Sequence, residues 1–272
     1  MRKNRLRVSR RIVAVSAALW TVWVSAVEAF DAEALGAEEK AESAWDVSVG
    51  AGVALSPEYE GSDDMRVSPI PIVNVTWNDR IYLNVPEELG AHVYRGENLA
   101  AAVGVGYDFG RDDDSALDGL GDVDGAATLN LRLEYQVGRI TSSIRGTRYL
   151  GSSDGLEVDL GVEALLPLRR GGDHPTPALS PAISATWADG NYTQAYFSVD
   201  GDQAARSGLE RYDAGAGFKS VEGSVAFMYP LGSGWLANAS LEYSRLIGDA
   251  ADSPIVRDED QFVAALIILH RF

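Results

Sequence analysis

Residues 126–137 read AATLNLRLEYQV. Leu129, Leu131, Leu133 and Tyr135 share one parity, and Thr128, Asn130, Arg132, Glu134 and Gln136 share the other. A period of two belongs to a β-strand, whose side chains point alternately to opposite faces. The stretch is longer than a typical soluble strand of about 5 to 6 residues. It fits the about 9 to 11 residues that a tilted strand needs to cross a membrane. A soluble sandwich would also put one face on a core. A polar parity that carries charges over a membrane-spanning length instead fits a strand with lipid on its apolar side and a water-filled lumen on the other.

The same alternation returns along the chain, in WDVSVGAGVAL (45–55), LAAAVGVGYDF (99–109), LEVDLGVEALL (156–166) and SGWLANASLEY (233–243). Strands are expected at 45–55, 66–77, 80–94, 98–109, 126–137, 139–149, 156–166, 177–187, 191–199, 212–229, 234–246 and 261–272. The expected fold is therefore all-β, a transmembrane antiparallel barrel of about 12 strands, within about 10 to 14. The stretch at 80–94 contains Pro86 and could be two short strands. With both termini periplasmic, the connections 56–65, 167–176, 200–211 and 247–260 become outer loops, and 110–125 becomes one long periplasmic segment. Trp45, Trp77, Trp187 and Trp235 then all fall at periplasmic strand ends, where aromatic anchors meet the membrane interface.

The N-terminus reads MRKNRLRVSRR followed by IVAVSAALWTVWVSAVEA. A basic region, an apolar region too short to span and small residues at its end make a secretory signal peptide over 1–29. Residues 30–44 are an acidic, flexible leader, and the barrel is expected over 45–272. Beyond residue 29 the chain carries 17 basic and 39 acidic residues, a net charge near −22. That balance excludes nucleic-acid binding through phosphates. With no cysteine in the sequence there is no disulfide framework and no thiolate site.

The last strand, QFVAALIILHRF, sets Phe262, Ala264, Leu266, Ile268 and Phe272 on the lipid-facing parity. A terminal Phe closing such a strand resembles the signal read by the outer-membrane barrel assembly machinery, so Phe272 is the expected assembly signal. The second strand holds Pro69 and Pro71, neither of which can donate to a sheet ladder. They are expected near the outer rim, where pairing is interrupted.

Four separated stretches resemble the MipA/OmpV family of outer-membrane proteins. They are PEYEGSDDMRVSPIPIVNVTWNDRIYL (57–83), GYDFGRDDDSALDGLGDVDGAA (106–127), SGLERYDAGAGFKSV (207–221) and YSRLIGDAADSPIV (243–256). The resemblance covers about residues 45–272 in the right order. It implies a non-enzymatic scaffold in the outer membrane, similar to a family member that bridges a lytic murein transglycosylase and a penicillin-binding protein. Other members are studied as adhesins, antigens or stress-responsive barrels.

Candidate chemistry is sparse. His92, His174 and His270 form no convincing constellation with a nucleophile and an acid, so no catalytic residue, cofactor or metal site is expected. Asp112, Asp113, Asp114, Asp118, Asp122 and Asp124 do not match a calcium-loop spacing. As part of the one long segment assigned to the periplasm, they are the expected docking surface for a murein enzyme. Glu58, Glu60, Asp63 and Asp64, on an outer loop, suit a divalent cation shared with lipopolysaccharide phosphates, with plain solvation the more ordinary role. The alternative function is a small channel or transport barrel lined by Arg132, Glu134, Arg145, Glu157, Asp159, Glu163 and Glu242, or an outer-membrane adhesin.

Overall fold

The computed structural model describes residues 43–113, 115–151, 153–168 and 176–272. The expected signal peptide, the leader up to residue 42, Asp114 and His174 lie outside the described residues. The strands are β1 (Trp45–Pro57), β2 (Met65–Trp77), β3 (Ile81–Val85), β4 (Glu88–Arg95), β5 (Leu99–Asp108), β6 (Ala126–Val137) and β7 (Ile140–Leu150). They continue as β8 (Leu156–Ala164), the two-residue β9 (Leu166–Pro167), β10 (Ala178–Ala188), β11 (Gly217–Gly232), β12 (Trp235–Leu246) and β13 (Asp260–Arg271). Each pairs antiparallel with its neighbours, and β13 pairs with β1 through contacts such as Ile268 with Ala51. The result is a closed twelve-stranded barrel with β9 as one extra strand against β10. Closure removes the sheet edges that lipid cannot satisfy, except along the upper part of β2. Among the described residues no helix is long and apolar enough to cross a membrane.

Parity decides which side chains face out. Leu129, Leu131, Leu133 and Tyr135 are exposed on the outer surface, while Thr128, Asn130 and Arg132 are buried inside. The outer belt includes Val67, Leu241, Phe262, Leu266 and Ile268, each more than half exposed. In water such a continuous apolar band would drive association, whereas in a bilayer it is matched by hydrocarbon.

The count of twelve survives two compensating corrections. The stretch 80–94 is two strands, because the chain reverses at Pro86–Glu87 and pairs Ile81 with Ala91. Proline in mid-strand has no ladder donor, so the chain turns there. Conversely, 191–199 is not a strand. It forms helix α1 (Gly190–Phe197), because the Asp189 side chain accepts from Tyr192 N at 2.9 Å and caps it. Helices α2 (Gly201–Ser207) and α3 (Gly248–Ala251) follow in the same and the last connection.

Between the two corrections every strand direction is inverted. Connections 109–125, 151–155, 189–216 and 247–259 therefore share one end of the barrel with 58–64, here called the far end. Trp45, Phe272 and the turns 78–80, 96–98, 138–139 and 233–234 mark the near end. The expected periplasmic placement of 110–125 beside those turns is thus overturned. Trp187 also moves, since β10 runs toward the far end and carries it there, opposite Trp45, Trp77 and Trp235. The correction leaves long connections at one end and, but for 165–177, tight turns at the other, the asymmetry usual for this class.

The hairpin of β3 and β4 is shorter than its neighbours. Its last pair with β2 is Val85 with Val73, so residues 65–72 of β2 have no sheet partner on that side among the described residues.

Candidate functional site

The sequence does not choose between an open and a plugged lumen, and among the described residues much of the inner face is packed with side chains. On one wall Ile70, Ile72, Met228, Leu236, Val263, Ala265, Ile267 and Leu269 pack into one apolar cluster. Residues lining an aqueous pore would stay wet, yet Met228 is fully buried and Ile72, Leu236 and Leu269 are each 1% exposed.

The opposite wall carries an ion-pair cluster tied to the short hairpin. Glu88 at the start of β4 accepts from Tyr82 Oη at 2.7 Å, from Arg132 Nη2 at 2.6 Å and from Asn130 Nδ2 at 2.7 Å. Arg145 on β7 reaches Glu87 in a close hydrogen bond and lies 3.6 Å from Glu88. All four charged side chains are nearly inaccessible to water. A buried charge is tolerated only when paired and hydrogen-bonded. The cluster therefore pins the hairpin turn to β6 and β7. Gly104 on β5 makes room for it, since a Cβ there would sit 2.5 Å from Glu88 Oε2.

The far-end connections form a folded cap. Leu117, Leu120, Val199 and Ile255 make one apolar cluster, with Tyr59, Leu209 and Tyr212 against it. Tyr192, Phe197, Ala214, Leu246 and Ala250 belong to a second cluster below, joined to Tyr149 and Ala188 on the barrel wall. Lys219 at the start of β11 locks cap to wall. Its Nζ lies 2.8 Å from Glu60 Oε1, 2.7 Å from Glu157 Oε1 and 4.7 Å from the centroid of the Tyr192 ring. Arg111 Nη1 donates to Tyr196 O at 2.7 Å, and Tyr196 Oη donates to Asp108 Oδ1 at 3.0 Å. Burial, reinforced by the Asp108 carboxylate, pushes the Tyr196 phenol well above its ordinary pKa, and burial lowers that of Arg111. Four stretches of the sequence that carry the family resemblance thus converge on one cap. Glu60, Arg111, Lys219 and Asp249 come from four different ones.

Asp113 and Asp122 stabilise their own loop on this cap. Asp122 accepts from Asp113 N at 2.6 Å, and Asp113 accepts from Gly119 N at 2.8 Å. Helix α2 holds the loop from outside, with Gln203 donating to Leu120 O at 2.6 Å and Arg206 to Gly119 O at 3.0 Å. Among the described residues no group of three or more His, Cys, Asp or Glu is placed to hold a metal ion. Sequence reasoning missed Lys219 and Tyr192, whose partners lie far away along the chain. Tyr192 and Tyr196 stack at 4.5 Å, one helical turn apart, a spacing that was visible beside the Asp189 cap.

At the near end Trp45 and Trp77 lie 6.1 Å apart, and His270 sits between Trp235 and Phe272 at 4.8 and 4.6 Å. Arg271 pairs with Asp46 across the β13–β1 closure.

Comparison with known proteins finds one family and several outer-membrane proteins to which the chain is similar. The model of a family described as "MltA-interacting protein MipA" matches residues 49–272. The chain is 24% identical over 238 residues to "Putative outer membrane protein YiaT" of Escherichia coli O157:H7, covering 85% of this chain and 92% of that protein. The same protein of Escherichia coli strain K12 gives the same identity and coverage. Among solved structures, OprB of Pseudomonas putida aligns at a TM-score of 0.38 and 11% identity, over 75% of this chain and 59% of that one. OmpT of Vibrio cholerae aligns at 0.36 and 11% identity, over 86% and 99%.

Proposed function

The chain belongs to the MipA family of outer-membrane barrel proteins, and from that premise we propose that it is a non-enzymatic scaffold for peptidoglycan remodelling. It holds a lytic murein transglycosylase and a penicillin-binding protein at the inner surface of the outer membrane. The observation that carries this reading is the packed inner face. Ile72, Met228, Leu236 and Leu269 packed on one wall and Glu88, Arg132 and Arg145 paired on the other occupy space that a wide aqueous channel would need. What remains to offer a partner is surface. The family's own description as an interacting protein supports the enzyme class.

With both termini periplasmic, the acidic 112–124 loop faces outward and cannot meet a periplasmic enzyme. The docking surface is then the near end, where Asp79, Arg80, Arg95, Glu97 and Arg139 are exposed on the turns. The test is crosslinking from intact envelopes with photoreactive groups at Asp79 and Glu97, against groups in the far-end loops. Capture of a murein hydrolase or synthase from the near end alone supports the scaffold. Capture of no periplasmic protein from either end overturns it.

A second reading, a channel for small cations, rests on Glu242. It is 5% exposed inside the barrel, and its Oε2 has no hydrogen-bond partner among the described residues. A steady single-channel current in planar bilayers would favour that reading over the scaffold.

A further inference from the structure

The short β3–β4 hairpin leaves β2 with an open edge above Val73. Backbone groups of alternate strand residues point to alternate neighbours. Asn78 N donates toward β1, to Ala44 O at 2.7 Å, while Arg80 N donates to Trp77 O across the turn into β3 at 3.0 Å. The β1–β2 register runs without a bulge from Trp77 to Met65. Val67, Pro69 and Pro71 therefore share the direction of Trp77 and turn their backbone groups toward the missing strand. Met65 shares that direction too, so two of the four positions on that edge are prolines, with no N–H to strand there. What remains are the N–H groups of Met65 and Val67 and a row of four carbonyl acceptors, with no strand opposite them among the described residues.

The edge lies at membrane depth. Pro71 and Val67 are six and ten residues along β2 from Trp77. At about 3.3 Å per residue and a tilt of about 40°, Pro71 stands about 15 Å above the near-end interface, in the far half of an apolar band about 25 Å tall, and Val67 about 25 Å above it, at the band's far boundary. Their outward side chains are apolar, and Val67 is 72% exposed. Beyond the hairpin, Tyr107 near the end of β5 and Phe109 just after it are exposed aromatics, past the last pair of β5 with β4 at Gly106. Unsatisfied backbone acceptors facing hydrocarbon are unfavourable by several kcal/mol each by the general rule for bilayers. Something with donors must meet them. An added strand, from a second copy or from residues 1–42, would find no donor at residues 69 and 71, since proline blocks strand addition.

We propose that this notch is a lateral binding site for a glycolipid of the far-end leaflet. Its amide or hydroxyl donors meet the carbonyls of Val67, Pro69 and Pro71, and its acyl chains lie on the apolar outer surface beside them. With the termini periplasmic, that leaflet is the outer one and the glycolipid is lipopolysaccharide.

The test places a benzophenone side chain at Val67 and, in a separate chain, at Phe262, which is outward on β13 and paired with Tyr243 of β12. The full barrel is put into phosphatidylcholine nanodiscs with purified lipopolysaccharide at low fraction in both leaflets, so that the result does not depend on orientation. Two or three directed hydrogen bonds predict about tenfold more lipopolysaccharide adduct at Val67 than at Phe262. Phosphatidylcholine, which has no such donors, is expected to label both positions alike. Equal lipopolysaccharide labelling at the two positions overturns the proposal. A second measurement uses Val67→Cys in this cysteine-free chain. Absence of a disulfide-linked dimer in nanodiscs is expected, and an efficient dimer would assign the edge to a second copy instead.

Discussion

Lys219 holds the cap to the barrel by neutralising Glu157 on the wall and Glu60 in the first far-end loop. Lys219→Met removes the cation and leaves the buried Glu157 carboxylate without it. Breaking a buried pair in this way costs about 3–5 kcal/mol. The expected readout is a lower urea midpoint, with the far-end loops cleaved by protease before the barrel opens. Gly104 gives a steric counterpart. Gly104→Ala drives a Cβ against Glu88 and is expected to destabilise by about 1–3 kcal/mol. Gly223→Ala meets nothing within 4 Å and is expected to stay within about 0.5 kcal/mol of the parent. Equal midpoints for the two glycine variants would show that Glu88 does not need that space. Of these residues, Glu60 and Glu157 were recognisable as polar positions in the sequence. Their pairing was not, because Lys219 and Glu60 are 159 residues apart.

At the scale of elements, α2 shows how little sequence a local structure needs. Asp200 accepts from Asp202 N at 2.8 Å and Gln203 N at 2.7 Å, and Gln203 Oε1 in turn accepts from Asp200 N at 2.8 Å. This capping box is legible as Asp200-x-x-Gln203. Asp200→Ala is expected to cost about 1 kcal/mol. It should appear as faster amide exchange confined to residues 200–208 and the 112–124 loop that α2 supports. Uniform acceleration across the barrel strands would contradict a local role. Helix α1 was harder to read, because Tyr192, Thr193, Tyr196 and Phe197 have side chains that also suit strands. Its Asp189 cap and the burial of Tyr192 and Phe197 in the cap decide for a helix. Similarly, the alternation of 80–94 continues through Pro86, and the pull of Arg132 and Arg145 on Glu87 and Glu88 adds to the donor that Pro86 lacks in reversing the chain there.

For the whole molecule, the packed inner face predicts electrical silence. Purified barrel in planar bilayers is expected to give no steady conductance. Deleting 111–124 is expected to loosen the far-end cap, measured as proteolysis of 189–216, while leaving near-end capture of periplasmic partners intact. Loss of that capture on deletion would put the partner on the far end. Phe272 bears on assembly more than on stability. Its ring is 62% exposed and touches His270, and its N–H donates to Val47 O at 2.9 Å. Phe272→Ser retains that backbone bond, so it is expected to lower the amount of barrel reaching the outer membrane several-fold with little change in the urea midpoint of what is assembled.

The sequence by itself determined the strand period, the outward and inward parity, the barrel class and the outward face of the last strand. These rest on residues two apart and on strand length, which are local quantities. The tertiary structure alone decided the direction of every strand from β5 to β10, the end at which the acidic loop sits and the packing of the inner face. Those outcomes depend on one reversal at Pro86–Glu87 and on contacts such as Glu88 with Arg132 and Lys219 with Glu60. Charged side chains alternating with apolar ones specify a polar inner face. Whether that face holds water or closes on itself is settled only when opposite walls meet.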